Sequence, residues 1–300
     1  MRPSRLGPLL AAALALAAGL AWASPATLSS PAPMSWLISG ERGSIYVLGT
    51  MHVGSGPRQG LSGPTAAAFA KAGTLLAELS GEDYANAGPA SIRLIQASLL
   101  PDGASIEGRL SPACREVALS LVGAEGFAAL CRFEPWVLSL ALVQGVYAQA
   151  GLDARYGIDP LVYGLAGERP VLGLESLDAQ LALLDEGSVE EQLASLEAAV
   201  PRIADGSSIQ ESIDLVKAYE ADDRERVAAL VASSIEESLR ANPADAASID
   251  RMFGERNAAW AERLAACLER GGDYFIFAGV GHFLGEGNVF EEMHELGALR

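Results

Sequence analysis

The 300-residue chain predicts an α/β fold: a mixed β-sheet core flanked by helices, with a large helical insertion before the last core strand. Three observations predict it. Apolar runs of strand length alternate with longer stretches of helical periodicity. Two of those runs, Ile45-Tyr46-Val47-Leu48 and Tyr274-Phe275-Ile276-Phe277-Ala278, lead into one pattern, Gly49-Thr50-Met51-His52 and Gly279-Val280-Gly281-His282. Residues 177–270 carry a helical signal throughout, between the third core strand and the last.

In chain order, Arg2 and Arg5, the apolar stretch Leu9 to Leu20 and the small-x-small triplet Ala21-Trp22-Ala23 read as a secretory signal peptide over residues 1–23. A linker over 24–34 and a single domain over 35–300 follow, and the leader predicts a periplasmic or secreted protein. Trp36-Leu37-Ile38, a turn through Gly40-Glu41-Arg42-Gly43 and Ile45 to Leu48 make a hairpin. A helix after Pro64 precedes the strand Thr74 to Leu79, where Glu78 stands near the end of an apolar run. A buried carboxylate is costly unless paired, so Glu78 asks for a partner.

Residues 89–150 are helical, with Pro101, Pro112 and Pro135 as breaks or first-turn positions. Gly157-Ile158-Asp159-Pro160 opens a further helix, Asp159 suiting the N-cap and Pro160 the first turn. Arg169 to Ser176 reads as a third core strand with Glu175 at its end. The helical stretch 177–270 is interrupted at Pro201, Gly206 and Pro243, and places Arg256, Asn257 and Trp260 within one turn. The last strand, Tyr274 to Ala278, is followed by an amphipathic tail, Asn288 to Leu296, where His294 reads as surface.

Composition excludes several classes. Removing residues 1–23 takes away two arginines and no acid, leaving a formal charge of about −19, so nucleic acid and anionic membrane surfaces are poor partners. No stretch beyond the leader approaches spanning length, which predicts no stable membrane span. Cys114, Cys131 and Cys267 allow at most one internal disulfide, have no CxxC spacing and read as structural. Gly279-x-Gly281 lacks the third glycine of a dinucleotide fingerprint, and Walker, Gly-x-Ser-x-Gly and His-Glu-x-x-His patterns are absent.

The chemistry therefore rests on the histidines, of which there are only three. A His just past a strand's carboxyl end is where open α/β sheets place ligand sites. A lone one is more often hydrogen-bonded filler; two converging imidazoles are the usual start of a metal site.

Gly49-Thr50-Met51-His52, Glu78, Gly157-Ile158-Asp159, Gly173-Leu174-Glu175 with Gln180 behind it, Arg256-Asn257 and Gly279-Val280-Gly281-His282, in this order and spacing, closely resemble the TraB/GumN family. That family includes the Tiki metalloproteases and is distantly similar to the ChaN and erythromycin esterase folds. The resemblance runs from about Ser35 to Gly297. It implies metal-dependent peptide hydrolysis: His52, His282 and Glu78 as ligands of a divalent transition metal, Mn or Co favoured and Zn possible, with a peptide or protein substrate. Glu78 or Glu175 would be the base, and Arg256 and Asn257 substrate or oxyanion contacts, while Asp159 matches more weakly. The alternatives are a non-catalytic ligand-binding protein, for a peptide, a haem-like group or a protein partner, and a purely structural site with both histidines hydrogen-bonded to Glu78.

Overall fold

A computed structural model describes residues 25–300; the leader read over residues 1–23 lies outside the described residues. A six-stranded mixed sheet runs β1 (Thr27–Ser29), β2 (Ser35–Ser39), β3 (Gly43–Thr50), β6 (Gly272–Gly279), β4 (Thr74–Ala77) and β5 (Val171–Gly173) across its width. The β1–β2–β3 pairings are antiparallel and β3–β6–β4–β5 are parallel. The last six residues of β3 and of β6 are all buried, as expected for parallel strands covered on both faces. The last strand in the chain thus sits at the centre of the sheet, in register with β3 from Gly43↔Gly272 to Thr50↔Gly279.

Among the described residues the helices are α1 (Gly63–Lys71), α2 (Gly81–Ala97), α3 (Pro112–Leu130), α4 (Pro135–Gln149), α5 (Ile158–Ala166) and α6 (Leu177–Ala182). There follow α7 (Val189–Ala204), α8 (Ser207–Glu220), α9 (Arg224–Ala241), α10 (Ala246–Met252), α11 (Gly254–Arg270) and α12 (Val289–Glu295). Prolines 112 and 135 occupy the first turns of α3 and α4, where their missing N–H costs nothing. Pro201, expected to break the chain, lies inside α7. It is near the helix end and removes one bond, to the carbonyl of Glu197, so the helix continues.

Two large apolar cores result, beside a small cluster of Leu79, Ala90 and Leu177. One wraps the sheet and takes in Trp260, Leu264 and Leu268 of α11; the other joins Cys114, Phe127, Leu138 and Leu142 of α3 and α4 to Leu193, Leu196 and Val200 of α7. The helical layer therefore draws on residues well before 177, and α11 belongs to the sheet. All three cysteines are buried free thiols.

The segment 24–34, read as a linker, carries β1 instead. Thr27 to Ser29 pair with β2, and Ala26 exchanges backbone hydrogen bonds with Ala298 and Arg300. The Arg224 guanidinium lies 4.9 Å over the Trp36 ring and donates to the Ala32 carbonyl, and Asp222 accepts the Met34 N–H. A run without apolar periodicity is thus ordered by polar contacts from a loop about 190 residues away.

The buried Tyr219 of α8 donates its hydroxyl to the Gly49 carbonyl at 2.6 Å and so ties the helical insertion to the end of β3. Tyr219→Phe is expected to lower unfolding free energy by about 1–2 kcal/mol in urea titrations, because it removes one buried hydrogen bond and leaves the shape intact.

Candidate functional site

Each of the four parallel strands delivers one side chain just past its carboxyl end. His52 follows β3, Glu78 follows β4, Glu175 follows β5, and His282 follows β6, whose last residue is Gly279. The shared parallel register brings these ends to one line, so His52, Glu78, Gly279 and His282, spread over 231 positions of sequence, line one cleft of about 570 Å³, with Glu175 joined to Glu78 through Arg256. Asp159, in the first turn of α5, and Arg256 and Asn257, on α11, complete the group.

His52 is held from behind. Its Nδ1 lies 2.9 Å from Asp159 Oδ2, and Thr50 donates its hydroxyl to the other oxygen of that carboxylate at 2.7 Å. The ring's other nitrogen is open to the cleft, the side chain being 66% exposed, and stands 4.0 Å from Glu78 Oε1. The hydrogen-bonded Asp159 raises the His52 pKa to about 9; crowding by the cleft walls and the Arg256 charge oppose this, and Glu78 adds to it. His52 is therefore a protonated imidazolium at neutral pH. Gly157 is required here, since a Cβ would stand 2.5 Å from the His52 carbonyl oxygen and push α5 away. Asp159, read as an N-cap, is the second residue of the helix with Gly157 as the cap, which frees its carboxylate for His52 and Thr50.

His282 is the opposite case. It is 6% exposed, packed 4.3 Å from the Trp260 ring, and its Nδ1 donates to Asn257 Oδ1 at 2.7 Å. Burial, with the charges of Arg256 and His52 adding to it, pushes its pKa down to about 3, so the ring stays neutral. Asn257 gives its amide to the Gly287 carbonyl at 2.7 Å, and so orients His282.

Glu78 and Glu175 lie side by side, 13% and 11% exposed, with Arg256 between them. Arg256 Nη2 donates to Glu78 Oε2 at 3.1 Å and to Glu175 Oε1 at 2.6 Å, and its Nε reaches Glu175 Oε2 at 2.9 Å. Gln180 bridges the same two carboxylates at 3.0 and 2.7 Å. The remaining oxygen of Glu78 accepts the Gly279 N–H at 2.7 Å and faces His52. A Cβ on Gly279 would lie 3.1 Å from Glu78 Oε1 and 3.2 Å from His52 Nε2, so glycine leaves room for both.

The cluster answers the demand that a buried Glu78 makes for a partner. Sequence reasoning did not find Thr50 or Gly279 as site residues, and gave Gln180 no role beyond lying behind Glu175. Their signal is positional only, since each is a few residues from a motif position. Neither imidazole hydrogen-bonds Glu78, as a purely structural site would have it. Among the described residues no group of three or more His, Cys, Asp and Glu side chains is arranged to hold a metal ion. His52, His282 and Glu78 do not fit a ready-made centre: Arg256 and Gln180 take one oxygen of Glu78, and the Gly279 N–H takes the other.

These features define an α/β protein with a cleft of charged, hydrogen-bonded side chains at the carboxyl ends of its parallel strands. The chain belongs to the TraB/PrgY/gumN family, whose profile matches residues 34–298. A protein of Treponema pallidum (strain Nichols), described as an uncharacterized protein, is 33% identical over 270 residues, covering 87% of this chain and 80% of that one. No solved structure matches. Among the described residues no helix is long and apolar enough to cross a membrane.

Two outcomes follow from this electrostatics. Asp159→Asn is expected to bring the His52 pKa from about 9 down toward its ordinary 6.5, read from ring-proton NMR, while His282 stays neutral. A raised pKa contributes stability below the unfolded value and loses it on rising through the folded one. The deficit of Asp159→Asn should thus be greatest below pH 6.5 and close as pH rises to about 9. Arg256→Met leaves two buried carboxylates without their cation and is expected to cost about 3–5 kcal/mol in denaturant unfolding. Adding Glu175→Gln should recover part of it, with a coupling above roughly 1 kcal/mol.

Proposed function

We propose that the cleft hydrolyses the carbonyl of an amide or ester, a peptide bond being the substrate that the family resemblance implies. One observation carries the reading: an imidazolium backed by Asp159 presents Nε2 to open space 4.0 Å from a Glu78 oxygen that is itself held by a backbone N–H. A water molecule between those two atoms is within hydrogen-bond reach of both.

Glu78 takes a proton as the water oxygen bonds to the carbonyl carbon. His52 then gives its Nε2 proton to the departing nitrogen or oxygen as the carbon–heteroatom bond breaks. Asp159 keeps the donating tautomer in place, and the Glu78 proton returns through solvent. The positive charges of His52 and Arg256 offset the negative charge that builds on the carbonyl oxygen. Glu175 and Gln180 act by holding Arg256 and Glu78, and Asn257 by orienting His282. In this reading the reaction takes place in the periplasm or outside the cell, as the leader over residues 1–23 implies.

A metal-dependent reading is supported by the facing of His52 Nε2 and Glu78 Oε1 across the cleft, and asks that Arg256 release Glu78 and His52 lose its proton. The two readings separate on chelation and pH. In the proton-transfer reading, turnover of a peptide or ester library survives EDTA and falls on an alkaline limb near pH 9, where His52 deprotonates. Glu78→Gln and His52→Gln each lower kcat by about 10²–10⁴, and Asp159→Asn moves the limb toward neutral pH. Turnover abolished by EDTA and restored by Mn or Co favours the metal reading; undiminished turnover in Glu78→Gln and His52→Gln rules out both.

A further inference from the structure

The cleft does not end at its polar floor. From His52 and Arg256 the same cavity continues between α8 and α9, lined by Leu215, Val216, Leu230, Val231 and Ile235, with Phe253 at its start. The wall contributed by α9 runs from Leu230 to Ser238, nine residues whose eight helical steps span about 12 Å. Met252, 44% exposed, stands at the same cavity with its carbonyl bonded to Arg256, so apolar surface adjoins the charged cluster directly.

The chemistry of this limb selects its occupant. Main-chain groups in the middle of a helix are satisfied within the helix, so these walls present no free N–H or C=O ladder to an extended peptide, as a sheet edge would. Of the polar side chains that α8 and α9 bring to the limb, Glu211 is paired with Arg202, Ser212 donates to the Ser208 carbonyl and Ser238 to Asp245, which leaves Ser234 as the one polar point among apolar neighbours. A chain without hydrogen-bonding groups meets no penalty here; a peptide backbone would leave its own polar groups unpaired. Twelve ångströms accommodates about nine or ten carbons of an extended alkyl chain.

We infer that this limb holds the alkyl chain of the substrate while its carbonyl lies between His52 and Glu78, so the substrate class is a medium-chain acyl ester or amide. This rests on the hydrolytic reading above for the carbonyl, and on the cleft walls alone for the chain.

The test is a series of p-nitrophenyl esters from acetate to dodecanoate, run beside calorimetric titration of decanoate into the same purified protein. The expected result is a kcat/KM that rises roughly three- to fourfold per methylene between four and about ten carbons and then levels, with decanoate binding saturably. Val231→Trp, which fills the limb, should bring the levelling point down by several carbons and weaken decanoate binding at least tenfold. Hydrolysis that is indifferent to chain length, with no decanoate bound, overturns the inference and leaves the hydrolytic reading standing. Decanoate binding that Val231→Trp abolishes, with no ester cleaved, supports the chain site and overturns the hydrolytic reading. No hydrolysis and no binding overturn both.

Discussion

Two carboxylates pressed together at the ends of neighbouring strands, each nearly buried, cannot stay charged there without a cation between them, and Arg256 is that cation. Its three hydrogen bonds to Glu78 and Glu175 join β4, β5 and α11, and Gln180 draws α6 into the same knot. The guanidinium face lies 4.9 Å over Trp260, whose other neighbour is His282, so the core beneath the sheet supports the charged layer. A polar network whose every member is satisfied admits one arrangement of its elements, and the cleft inherits its shape from that arrangement.

The two Gly-x-x-His copies show how environment overrides motif. Both follow buried parallel strands and both deliver an imidazole to one cleft, yet one is charged and the other neutral. The difference lies in what the Nδ1 atom meets. At His52 it meets a carboxylate and the ring is open to solvent; at His282 it meets an amide oxygen in the apolar core. One strand end supplies a proton donor and the other a neutral nitrogen, a division of labour that identical sequence patterns do not announce.

Much of the architecture was legible because its signals are local. Apolar runs and turn residues gave the hairpin and the four core strands, and an acid at the end of an apolar run called for a partner that Arg256 and Gln180 provide. What was not legible depends on contacts distant in sequence. Asp159 suits an N-cap, and only the docking of the start of α5 on the segment after β3, where the Ile158 N–H meets the Met51 carbonyl, turns its carboxylate toward His52. Residues 24–34 lack any strand pattern and acquire β1 by pairing with β2 and with the far end of the chain. Pro201 reads as a break because sequence gives no measure of how little a single lost bond near a helix end matters.

The central place of β6 has a consequence for how the molecule comes into being. The strand that bridges β3 to β4 is made of residues 272–279, and its pairing with β3 spans 229 positions of sequence. Until that segment arrives, β3 and β4 have no common neighbour, and the sheet exists only as two separate pieces with exposed edges. Loop closure over such a span precedes any reward from the contacts it makes, so assembly is slow and happens late. Because Gly279 and His282 ride on the same segment, the event that closes the sheet also completes the cleft: a half-built chain holds His52 and Glu78 without the Gly279 N–H and the His282 ring that finish their surroundings.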